Sequence, residues 1–148
     1  MLRLKGSNNM KEIKVQQDIL ALANTPNRVK FGELNNGRMG VTIDGCAVYI
    51  FNIGNLLLDT TKFLTFGLQK ICDDVFNAKD IFPTGVSIND GKTTLKEFKN
   101  DETMAYFNEK LFKYFDNKML SFSYHKNKLF VCENGELAGI VLETRVKK

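Results

Sequence analysis

With 148 residues, 43% of them hydrophobic and 26% charged, the chain has the size and balance of one globular domain with a true core. No apolar run is long enough to span a bilayer and no charged-then-apolar signal opens the chain, so the expectation is a cytoplasmic protein with no membrane partner. The net charge of +4 rests on Arg3, Lys5, Lys147 and Lys148, which leaves Met10 to Val146 formally neutral and short of the surplus that covers roughly 6–10 phosphates in a strong duplex binder.

Residues 1–9 lack periodicity and are expected as a flexible leader, ahead of a single domain over 10–148. From Lys11 the segments KEIKV, QQDILALAN, RVKFGEL, RMGVTID and CAVYIFN predict a strand, a short helix and three strands, a βαβββ unit over 10–52. Ile19, Leu20, Leu22 and Ala23 give that helix its apolar side, and Pro26 stops it. Asn35-Asn36-Gly37 and Asp44-Gly45 punctuate the hairpins because these residues tolerate positive φ, while Gly40 inside a strand marks a bulge or a close backbone approach.

Residues 53–102 interrupt the pattern. Asp59 is expected to cap a helix running to Asn77 with Leu64, Leu68, Ile71, Cys72 and Val75 on its buried side, although Gly67 costs that helix about 1 kcal/mol relative to Ala. Pro83, Gly85 and Asp90-Gly91 then frame a hairpin of GVSI against TTLKEF with a type I′ turn.

The last stretch, 103–148, reads as the same unit a second time: strand TMAYF, helix NEKLFKYFDN, then strands MLSFSY, KLFVCEN and LAGIVLETRV. Asn108 stands at the N-cap position, and Leu111, Phe112 and Phe115 share a face. His125 to Asn127 and Asn134-Gly135 supply the turns. The predicted fold is therefore α+β: two pseudo-repeated βαβββ units, antiparallel sheets with short helices packed on one side, and an inserted helix plus hairpin between them.

Catalytic constellations are sparse. The single histidine, His125, sits in a turn between lysines, and Asp73-Asp74 diverge by about 100° on a helix, so neither makes a ready acid–base or metal pair. Cys46, Cys72 and Cys132 lack metal-ligand spacing and suit reduced thiols. Asp90-Gly91-Lys92-Thr93-Thr94 lacks the phosphate-loop spacing. No enzyme activity, cofactor or metal is expected. Tyr106, Phe107, Phe112, Tyr114, Phe115, Phe122 and Tyr124 could stack single-stranded bases, but they occupy positions that also serve a core.

The order of elements, with NEKLFKYFDN before LFVCENGELAGIVLETRV and the opening KEIKVQQDILALAN, resembles a domain of the DNA sliding clamps, which is built from two βαβββ units. That resemblance implies strands in an outer layer, helices facing DNA and domains joined edge to edge. It places Gln16, Gln17, Lys110, Lys113 and Asn117 on the DNA-facing side. The function expected from it is a non-enzymatic, clamp-like role in DNA transactions of a phage or mobile element, with Lys110 and Lys113 on phosphates. The neutral body favours the other reading, a protein-interaction module that binds another protein, or itself, through edge strands or a groove.

Overall fold

The computed structural model describes residues 11–22, 25–52, 58–115 and 119–145. The expected leader, the terminal lysines and Asn117 lie outside these residues. Helix α1 spans Glu12–Leu20; strands β1 (Val29–Glu33), β2 (Arg38–Ile43) and β3 (Ala47–Asn52) follow. The middle of the chain holds β4 (Leu64–Thr65), α2 (Leu68–Asp73), β5 (Lys79–Asp80), β6 (Phe82–Asp90) and β7 (Thr93–Lys99). Strand β8 (Met104–Asn108) leads into a 3₁₀ turn, Glu109–Phe112, and then β9 (Leu120–His125), β10 (Lys128–Glu133) and β11 (Glu136–Leu142).

The strands form an eight-stranded sheet, ordered β4-β1-β2-β3-β11-β10-β9-β5, and a three-stranded sheet, β6-β7-β8. Among the described strands pairing is antiparallel except for β4 alongside β1. The large sheet is two meanders joined last strand to last strand, β3 to β11, through Tyr49↔Gly139, Val48↔Ile140 and Ala47↔Val141. Alternation along the strands then sorts the side chains to two faces. Val29, Phe31, Val41, Tyr49, Leu129 and Val131 face a core shared with Val15 and Ile19 of α1 and with Phe98 and Phe107 of the small sheet. Val48, Ile50, Phe130 and Ile140 face a second cluster completed by Leu68 and Cys72 of α2. Helix α1 and the 3₁₀ turn, whose Leu111 and Phe112 join the first core, thus cover one side, and the inserted α2 lies against the other.

Phe98 ties the two sheets together, its ring edge-on to Phe107 at 5.4 Å and to Phe122 of β9 at 4.9 Å. Of the seven aromatics weighed as base-stacking platforms, Phe107, Tyr114 and Phe115 are buried and the other four partly buried, so they serve packing.

The α+β class and the six long strands of the large sheet stand where the sequence predicts them. The repeated βαβββ unit does not emerge. Lys11–Val15, expected as a strand, is the start of α1: burial falls on Glu12, Val15, Gln16 and Ile19, a helical spacing, and Ile13 stays 49% exposed. The strand leading the second unit, β8, belongs to the small sheet, and the helix after it is a single 3₁₀ turn. The long helix expected over Asp59–Asn77 is broken into a 3₁₀ turn at Thr60–Lys62, the short β4, α2 and a second 3₁₀ turn at Asp74–Asn77. Asp59 does cap, accepting from the Thr61 N–H at 3.1 Å, but only the first turn. Gly67 divides the segment by taking the extended N-cap position of α2, which leaves Leu64 exposed on an edge strand.

Gly40 shows the close approach expected of it. It pairs with Gly32 across β1 and β2, and a Cβ on either would lie within 2.5 Å of the Leu68 side chain. The two glycines form the seat for α2. At the β6–β7 turn only Gly91 of the two loop residues has positive φ, the pattern of a type II′ turn, not the expected I′.

Candidate functional site

The capped turn after β8 and the side of α1 converge on the open end of the β3–β11 junction. The Asn108 carboxamide oxygen accepts from the Lys110 N–H at 3.0 Å, which satisfies a free donor of the 3₁₀ turn and fixes Lys110 and Lys113 beside each other. The Tyr49 hydroxyl donates to the Leu111 carbonyl at 2.9 Å, binding the turn to β3. The Lys11 N–H donates to the Tyr114 carbonyl at 2.8 Å, which brings the start of α1 against the end of the turn.

Asp18 is the hub of this junction. On α1 it pairs with Lys14 one turn earlier at 3.0 Å, and it stands 3.7 Å from the Lys113 ammonium. The Tyr114 hydroxyl donates to Asp18 Oδ2, the oxygen on the Lys113 side, and this bond, ahead of the two lysines, holds the Asp18 carboxyl below its ordinary range. Burial, then the bond to Asp18 and its charge, pushes the Tyr114 phenol up. The Lys113 ammonium also lies 4.9 Å over the Tyr114 ring. Across the opening, Arg28 donates two bonds to Asp44, at 2.7 and 2.6 Å, and lowers that carboxyl in turn.

These residues border a groove of about 790 Å³ with Leu22, Ile43, Leu111 and Leu142 in its lining. Its charged side chains are four cations, Lys14, Arg28, Lys110 and Lys113, and three carboxylates, Asp18, Asp44 and Glu143. The opposite face of the sheet carries a second concavity of about 530 Å³, next to Phe66, Ile71 and Ile140.

The residues singled out from the sequence meet this groove unevenly. Lys110 and Lys113 line it. Gln17 is exposed on α1 outside the lining. Gln16 is 3% exposed, because it falls on the buried stripe of a helix that begins at Glu12, so its assignment to a DNA-facing surface does not hold. Sequence reasoning missed Lys14, Asp18, Arg28 and Asp44. Only the i,i+4 spacing of Lys14 and Asp18 was a usable signal, and it becomes visible once residues 11–15 are read as helix.

No catalytic grouping offsets this picture among the described residues. Asp74 is ion-paired with Lys128 at 2.6 Å, and Asp73 accepts from Gln69 at 2.8 Å. Neither aspartate nor His125 borders the groove or the opposite concavity. No group of three or more His, Cys, Asp or Glu side chains among the described residues could hold a metal ion, and no described helix is long and apolar enough to cross a membrane. Burial raises the Cys72 thiol to about 11 and also lifts Cys132, so neither is an activated nucleophile. No protein-family model, curated protein or solved structure matches the chain.

Proposed function

We propose that this protein is a non-enzymatic interaction module whose groove between α1 and the Asn108-capped turn takes a segment of a partner protein. The reading is carried by the mixed character of the groove: an apolar lining beneath cations and carboxylates in nearly equal number. A peptide segment can match both signs and the apolar floor, whereas a nucleic-acid backbone presents one sign and would meet Asp18, Asp44 and Glu143 as repulsion. Capture of partners from nuclease-treated lysate by wild type and by Lys110→Glu tests it. Protein retained by the wild type and lost by the variant supports the groove. Retention that ignores the substitution, or that vanishes with nuclease, overturns the reading.

A second reading, the clamp-like role in DNA transactions, has its own support. Lys110 has no carboxylate at ion-pair distance among the described residues, and it lies with Lys113 and Lys14 along one groove. Each lost phosphate contact flattens the dependence of log K on log salt by about 0.9, so Lys110→Ala with Lys113→Ala lowers the slope by roughly 1.8 if both grip phosphate. Asp18→Asn should tighten DNA binding on the same reading. An unchanged slope in the double variant removes it.

A further inference from the structure

Among the described residues, two short strands and a flanking segment lie along three of the four sheet edges, and one long edge stays open. The large sheet ends in β4 and β5, two residues each, too short to template another strand. The outer side of β8 is engaged by the segment after β11, where the Thr144 N–H donates to the Tyr106 carbonyl at 2.8 Å. Strand β6 runs nine residues, pairs only with β7 among the described strands, and is exposed along nearly its whole length, with Phe82 at 62% and Val86 at 47%.

Pro83 and the register shift between Pro83 and Ser87, where Gly85 takes φ +85°, blunt the first part of this edge. The second part is regular: Ser87↔Lys96, Ile88↔Leu95, Asn89↔Thr94 and Asp90↔Thr93 pair in register. A two-residue turn closes on a hydrogen-bonded pair, so Asp90 and Ile88 bond to β7 while Ser87 and Asn89 direct their N–H and C=O groups to the open side. Edge strands of monomeric proteins usually carry a lysine or an inward charge against unwanted pairing. From Phe82 to Asn89 this strand carries no charge at all.

We propose that β6 pairs antiparallel with β6 of a second copy of the chain, about a two-fold axis at Ile88, to join two three-stranded sheets into one of six strands. Ser87 of each copy then faces Asn89 of the other and exchanges both backbone bonds. Ile88 meets Ile88 on the axis as an apolar cross-strand pair. Asp90 falls opposite Val86, which keeps the two aspartates about 14 Å apart, four residues at about 3.4 Å each and beyond the screening length in physiological salt. The strand therefore matches itself in hydrogen bonds, apolar contact and charge. A foreign strand has less to be selected by, since the concavity of about 490 Å³ next to this edge lies against Phe82–Thr84 and not along Val86–Asp90. This inference is independent of the groove.

Light scattering on the eluting protein tests it first: the expected mass rises with concentration toward twice the 16.8 kDa chain. Ser87→Pro, which removes an outward N–H, and Ile88→Lys, which sets two cations on the axis, each return the protein to a monomer with unchanged circular dichroism. Position-specific cross-linking sharpens it. In a Cys46→Ser background, Ile88→Cys should form a chain-to-chain disulfide on mild oxidation, because directly opposed non-hydrogen-bonded residues have Cα atoms about 4.5 Å apart. Asp90→Cys should not. A wild type that stays monomeric at several hundred micromolar overturns the proposal, as does a dimer that survives both edge variants or cross-links equally through Asp90→Cys.

Discussion

The two meanders of the large sheet, β1–β3 and β9–β11, run in the same strand order and meet last strand to last strand, yet each is held by a different device on a different face. In the first, Gly32 and Gly40 clear a seat for Leu68 of α2. In the second, Gly139 clears space on the other face for the Phe115 ring, within 2.6 Å of where its Cβ would stand. A common strand order thus does not bring common packing: what covers a sheet is decided by where it lacks side chains.

The comparison breaks most sharply at Leu68, which is fully buried over the glycine pair. Leu68→Ala should cost about 2–5 kcal/mol in denaturant unfolding. Gly40→Ala alone should cost about 1–3 kcal/mol, and the two together less than their sum, because the truncated side chain makes room for the new methyl. Additive losses would show that Leu68 does not sit on Gly40 as described. In the second meander a Cβ on Gly139 would also meet the Val48 carbonyl oxygen at 2.6 Å, so Gly139→Ala should cost at least about 1–3 kcal/mol and be relieved only in part by Phe115→Leu and not by Leu68→Ala, which still assigns each glycine to its own partner.

The turn that delivers Phe115 gives a smaller effect. Asn108→Ala removes its cap and should cost about 1 kcal/mol. Asn108→Asp should restore most of that, and failure to do so would mean that the side-chain oxygen is not what holds the turn.

Protonation gives the finest probes. Asp18 and Asp44 have folded pKa values below those of the unfolded chain, so the folded state binds fewer protons. Their contribution is present above the unfolded value of about 3.9 and is lost as pH falls through the folded values. Asp18→Asn should make the melting temperature less sensitive to acid over that window. At the alkaline end burial leads the rise at Tyr49, Tyr114 and Tyr124, while the bond to Glu97 leads at Tyr106. Tyr124, raised to about 12 by burial and its bond to Glu143, keeps its proton in the folded state, so stability is lost as pH rises from about 10 through that value. Ultraviolet titration of the folded protein should therefore show no phenol ionising at its ordinary pKa. A tyrosine that does so identifies a hydroxyl bond absent in solution.

Much of the fold was legible where one residue's neighbours in sequence are also its neighbours in space. The turns at Asp44-Gly45 and Asn134-Gly135 have the positive φ their residues favour, and the Asn108 cap forms as its position predicts. Errors arise where two periodicities compete over few residues. Ile13 and Val15 alternate as a strand would, but Val15, Gln16 and Ile19 share a helical stripe, and the core against β3 selects the helix. At Asp59–Asn77 the apolar spacing suits a helix, and Gly67 with the edge of β1 overrides it. The groove was half legible: Lys110 and Lys113 share a turn, but Asp18 comes from 96 residues away in the chain to meet Tyr114, and no local pattern encodes such a meeting.

The seam between β3 and β11 has a kinetic consequence. Its three residue pairs join positions about ninety residues apart, Tyr49 with Gly139 at one end. Each meander can zip from its own turns, whereas the seam must first bring together the ends of a long intervening chain, an entropic toll that falls before its bonds are gained. Amide protons on β3 and β11 should accordingly gain protection after those inside either meander during refolding. The whole sheet then forms no faster than its narrowest join.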